Sequence, residues 1–183
     1  MSARLLHVEG RFIDADPWTM VGADDALPAG PVLVTLDRWR AEREALLARA
    51  APVGVVLEPC QPLEELAADL PRIACIALRF PSPGEGRPYS AARLLRERYG
   101  YRGEIRAIGE VLIDQVYFMK RCGFDVLALR ADQDPQAALA ALQAFSVRYQ
   151  PACDEALPLY RRRATRETLI ALRANHDRTR STY

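Results

Sequence analysis

The stretch IACIALRFPSPGEGRPYSAARLLRERYGYRGEIRAIG, residues 73–109, decides the fold. It opens with a continuous apolar run, 73–80, that reads as a strand. A Pro/Gly loop follows. An arginine-studded segment then reads as a helix with Ser90 as its N-cap and Gly100 as its stop. EIRAIG, 104–109, returns to a strand. Apolar runs without alternation suit a parallel sheet covered by helices.

The same rhythm extends both ways. Upstream lie PVLVTL (31–36) and a helix from Asp37, its expected N-cap, then VGVVLEP (53–59) and a helix PLEELAADL. Downstream lie a helix ending at Gly123, DVLALR (125–130), and a helix over 134–149 with Pro135 in its first turn. Five βα units predict an α/β protein with a mostly parallel five-stranded sheet and right-handed crossovers, open or partial-barrel-like. Five units are too few for an eight-stranded barrel. Residues 4–21 read as an N-terminal β-hairpin around Glu9-Gly10. Residues 1–150 then form a single domain, hairpin 4–21 plus βα units 31–150. Residues 151–183 form an extended or helical basic tail, suited to packing on a second copy of the chain.

At 183 residues the chain buries a core without disulfides or metal. The net charge of +1 gives no field that would call for nucleic acid or a membrane surface. No apolar run approaches the roughly 20 residues of a membrane span, and the start has no signal pattern, so the expected address is cytoplasmic. Lys120 is the only lysine, so most arginines stand where lysine would serve elsewhere. Cys60, Cys75, Cys122 and Cys153 are scattered without a CxxC pair, which argues against a metal knuckle. His7 and His176 fall in the hairpin and the tail, so no histidine is expected in the core to serve a dyad or a metal. Phosphate-loop, dinucleotide and nucleophile-elbow motifs are absent.

Ligands in parallel α/β folds bind beyond the carboxyl ends of the strands. The candidates for anion or partner binding there are Arg79, Glu85, Arg87, Ser90, Arg106, Glu110, Asp114 and Gln115. No catalytic residue and no metal site is indicated. Arg106 stands out, because a charge inside a covered strand needs an anionic partner. Three arrangements meet that need. Arg79 and Arg106 could pair internally with Glu58, Glu110 or Asp114. Arg79, Arg87 and Arg106 could instead form an anion pocket with the N-terminus of the Ser90 helix. Arg106 could also lie on an exposed edge.

The block EGRPYSAARLLRERYGYRGEIRAIGEVLIDQVYFMKRCGFDVLAL (85–129) resembles the core of a bacterial family, domain of unknown function 934. The resemblance runs over roughly 5–163, and QPACDEALPLYRRR (150–163) is similar to the family's usual close. Members are often labelled oxidoreductases of sulfite reduction, because they are typically encoded beside the sulfite reductase hemoprotein. The family's loop pattern is Asp-Gly-Arg-Gly; here Glu85 and Pro88 replace the Asp and second Gly. The family's Gly-Asp-Val-Leu is Gly109-Glu110-Val111-Leu112 here. A catalytic carboxylate seldom tolerates that exchange, whereas a salt bridge or docking contact does. The resemblance implies an accessory protein of assimilatory sulfite reduction that docks on the hemoprotein or handles a small anion. Alternatives are a stand-alone oxidoreductase, with Arg79, Arg87, Ser90 and Arg106 as the pocket for a flavin, and a non-redox lyase or isomerase on a small anionic substrate with Asp114 as base. No cofactor motif is evident.

Overall fold

In the computed structural model, residues 4–162 are described. Eight strands form one mixed sheet: β1 (Arg4–His7), β2 (Arg11–Ile13), β3 (Thr19–Val21), β4 (Val32–Thr35), β5 (Val53–Leu57), β6 (Cys75–Phe80), β7 (Glu104–Gly109) and β8 (Val126–Leu129). Their order is β2-β1-β8-β7-β6-β5-β4-β3. The five expected strands are β4 to β8, parallel and side by side in chain order. The five-stranded count was too low. β1 pairs antiparallel with both β2 and β8. β3 adds a sixth parallel strand beyond β4. The hairpin is therefore 4–13, not 4–21. Three residues, Thr19–Val21, are too few to show a period, and Pro17-Trp18 before them reads as loop.

The helices are α1 (Leu36–Leu47), α2 (Arg87–Glu97), α3 (Val116–Cys122) and α4 (Pro135–Ala141). Strand residues divide by parity between two apolar clusters. Val32, Val55, Ile76, Ile105 and Leu127 join Trp39, Leu95 and Met119 of the helices. Leu33, Val56, Ala77, Ile108 and Val126 form a second cluster with no helix residue, joined by Ile13 and Trp18. The helices thus share one face of the sheet, and the chain between β2 and β3 crosses the other. Chain-order strands with helices on one face give the winding of an opened βα barrel, with β2 and β3 as free edges.

Several helix starts differ from expectation. Thr35, not Asp37, caps α1, its hydroxyl accepting from Arg38 N at 3.3 Å. α2 begins at Arg87, three residues before Ser90. Pro88 favours that early start, because its ring presets φ and it lacks an amide the first turn could not use. Ser90 is consequently an exposed residue inside the helix and not its cap. PLEELAADL forms only 3-10 turns at Leu63–Leu66 and Leu70–Arg72, since Pro62 and Pro71 bracket too short a span. α4 has Pro135 in its first turn as expected, with Asp134 as N-cap accepting from Gln136 N at 2.9 Å, but it stops at Ala141.

Residues 143–162 are largely irregular and fold back on α3. Asp154 pairs with Arg121 and Arg148 at 3.4 and 3.2 Å, and Cys153 N donates to Arg121 O at 3.1 Å. The remainder of the basic tail, with its expected self-association, lies outside the described residues. No helix of the described residues is long and apolar enough to cross a membrane.

Candidate functional site

The carboxyl ends of β4 to β8 form a charged rim. Arg79 Nε donates to Glu58 at 2.7 Å. Arg130 is gripped by Glu110 at 2.7 Å and Asp132 at 2.6 Å. Glu85 takes two guanidinium bonds from Arg87 at 2.8 Å and also accepts Arg87 N at 3.0 Å. Arg87 Nη1 reaches Cys60 Sγ at 2.6 Å. Gln115 Nε2 donates to Pro83 O at 2.8 Å, tying the front of α3 to the 81–86 loop. Asp114 is exposed. Arg79, Arg87 and Arg106 do not converge. Each is met by its own carboxylate, and the N-terminus of α2 is met by Glu85, so the loop carries its own anion.

Glu110 owes its aim to Gly109. That glycine has φ +94°, and a Cβ there would lie 2.4 Å from Phe80 O, which accepts Glu110 N at 2.8 Å. Alanine at 109 meets both a left-handed backbone and a carbonyl. Gly109→Ala is expected to lose about 1–3 kcal/mol in urea denaturation. An unchanged midpoint would contradict this reading.

The rim is built of ions, not of poised acids. The Arg87 guanidinium holds the Glu85 carboxyl below its usual range. Arg130 pulls Asp132 down to about 2. Burial pushes the Tyr89 hydroxyl up to about 12. Both carboxylates titrate lower in the folded than in the unfolded chain. The stability they carry is therefore full above about pH 5 and is lost as pH falls toward 2. Urea midpoints between pH 6 and 2 should fall, and Asp132→Asn should flatten the lower part of that fall. An identical fall in Asp132→Asn would refute this role. Among the described residues no group of three or more His, Cys, Asp or Glu is placed to hold a metal ion.

Arg106 departs from the rim. It sits in β7 on the helix-free face, 2% exposed. Its partners are Asp16 at 2.7 Å and Glu104 at 2.8 Å, not Glu58, Glu110 or Asp114. Asp16 comes from the chain that crosses this face between β2 and β3. Glu104 also accepts from Cys75 Sγ at 3.5 Å. Burial, then the Glu104 charge, pushes the Cys75 thiol far up, so it is not a nucleophile.

The family model for a bacterial protein of unknown function, DUF934, matches residues 54–160. The chain belongs to this family. No curated protein matches it. The DUF934 region runs from β5 through the irregular segment, and all eight candidate residues lie inside it. Asp16 and Trp18 lie outside.

Sequence reasoning missed an aromatic face next to the rim. Tyr89 of α2 stacks with Phe118 at 5.1 Å, and Tyr117 with Phe145 at 4.9 Å. Arg148 Nε donates to the Tyr117 hydroxyl at 3.2 Å, and Leu159 N donates to Tyr149 O at 3.1 Å. Phe118, Phe145, Val147, Tyr149 and Tyr160 all remain exposed, Tyr149 at 74%. Phe118 packs against Tyr89 yet stays exposed, while Tyr89 and Tyr117 are half-buried. Phe145, Val147 and Tyr149 were hidden by the expectation that α4 runs to 149.

Proposed function

We propose that this protein is a cytoplasmic accessory of assimilatory sulfite reduction that docks on the sulfite reductase hemoprotein. The observation that carries the docking half is the exposed aromatic face on α3 and residues 145–160, bordered by the rim. Exposed clustered aromatics are uncommon on a surface meant only for water, and they anchor protein interfaces. The flanking arginines are already paired to carboxylates, which suits the polar surround of an interface. The partner follows from the family resemblance, whose members are encoded beside that hemoprotein. The rim supports docking above anion handling, because Glu85 stands where an incoming phosphate or sulfur oxyanion would meet α2.

The test is genetic. A host lacking this protein should grow poorly on sulfate or sulfite as sole sulfur source and normally on cysteine. Expression of the wild-type chain should restore growth. Equal growth of the deleted and parent strains on sulfite would overturn the proposal.

A further inference from the structure

The end of the sheet opposite the rim holds a cavity of about 480 Å³. It lies at the amino ends of β7 and β8, where α2 and α3 finish. Its charged lining is Arg96, Glu97, Arg102, Lys120, Asp125 and Asp154. The three acids are already taken. Asp125 pairs with Arg96, Glu97 with Arg93 at 3.0 Å, and Asp154 with Arg121 and Arg148 at 3.4 and 3.2 Å. Arg102 and Lys120 are left over, with no partner among the described residues.

That is unusual in this chain. Every other arginine of the described residues except Arg4 meets a carboxylate, a carbonyl or an aromatic ring. Two of the three unpartnered cations therefore line one cavity. Their frame is held by Arg96, which donates to Tyr101 O, Gly103 O and Gly123 O at 2.8, 2.9 and 2.9 Å. This guanidinium ties the loop on both sides of Arg102 to the turn that follows Lys120. It also occupies carbonyls that would otherwise repel an anion. Arg102 is exposed and Lys120 half-buried, so a solute entering the cavity can reach both.

Two unpaired cations on one fixed frame suit a dianion. A phosphate monoester carries about −1.5 to −2 at neutral pH, and arginine and lysine are its usual donors. Arg102 also lines a second hollow of about 590 Å³, with Pro71 and Tyr99 on its walls. Both volumes are in the range of small-molecule sites. We infer that the cavity binds a small organic phosphate. Its phosphate group takes hydrogen bonds from Arg102 and Lys120, and its organic body extends past Arg102 toward Pro71 and Tyr99. The site does not rest on the docking reading.

The test is calorimetric titration of the full chain with adenosine diphosphate, pyrophosphate and adenosine. Adenosine diphosphate should bind about tenfold or more tightly than adenosine, and pyrophosphate should compete with it. Lys120→Met and Arg102→Met break no intramolecular pair. Each should keep the urea midpoint and weaken adenosine diphosphate about tenfold or more. Arg4→Met is the control for net charge. Arg4 is equally unpartnered but sits beside Leu129, at the other end of β8, and its loss should leave binding unchanged. Failure of both adenosine diphosphate and pyrophosphate to bind would overturn the inference. So would unchanged binding in both Lys120→Met and Arg102→Met. Equal weakening by Arg4→Met would also overturn it, by reducing the effect to net charge.

Discussion

Alanine at both Asp16 and Glu104 is expected to lower stability by about 3–5 kcal/mol, the usual penalty for leaving a buried ion unpaired. The two carboxylates are themselves partly exposed, and water can solvate them. Arg106 has no such recourse at 2% exposure. The loss therefore comes from the arginine that remains, not from the acids removed. Either single substitution should lose much less, since one partner stays within 2.8 Å. Adding Arg106→Met to the double variant should return most of the lost stability, because methionine fills the same space without charge. Urea denaturation of the four variants checks this. A double variant within about 1 kcal/mol of wild type would show that Arg106 reaches water by another route.

Glutamate at both Phe145 and Tyr149 is expected to weaken association with the sulfite reductase hemoprotein at least a hundredfold. Interface anchors of this kind carry about 2 kcal/mol or more each, though paired values need not add. Both side chains are exposed, 60% and 74%, so the substitutions should leave folding stability within about 0.5 kcal/mol. Phe145 does stack on Tyr117, and that contact is the part of the effect that could reach stability. Affinity measured by sedimentation, alongside urea midpoints, separates the two. Unchanged affinity would move the docking surface away from α3 and residues 145–160.

The parallel core was legible because its strands carry the signal themselves. Val53 to Leu57 and Cys75 to Phe80 are apolar at nearly every position, and only a sheet buried on both sides asks for that. What covers the second side was not legible. The reading expected helices there. The structure instead lays Ile13 to Trp18 across it, and no periodicity marks a six-residue crossing. Arg106 pointed to the gap, since its charge demanded an anion. The partner lay ninety residues upstream, beyond any local pattern. Ser90 misled because serine before a helical run is a strong cap signal. Pro88 started the helix earlier, and Glu85 took the capping role from outside. The pairing of Glu58 with Arg79 was among the weighed arrangements, as short steps between adjacent strand ends make it accessible. The aromatic face was hidden by where α4 stops. Helix-forming alanines run on to Ala144, but the helix ends at Ala141, and Phe145, Val147 and Tyr149 beyond it are exposed.

The most direct measurement is sedimentation velocity of this protein mixed with the purified sulfite reductase hemoprotein. The account predicts a faster-moving complex with a Kd at or below about 10 μM, as expected of a transient interface. Two components that sediment independently, with both proteins folded and at tens of micromolar, would contradict it.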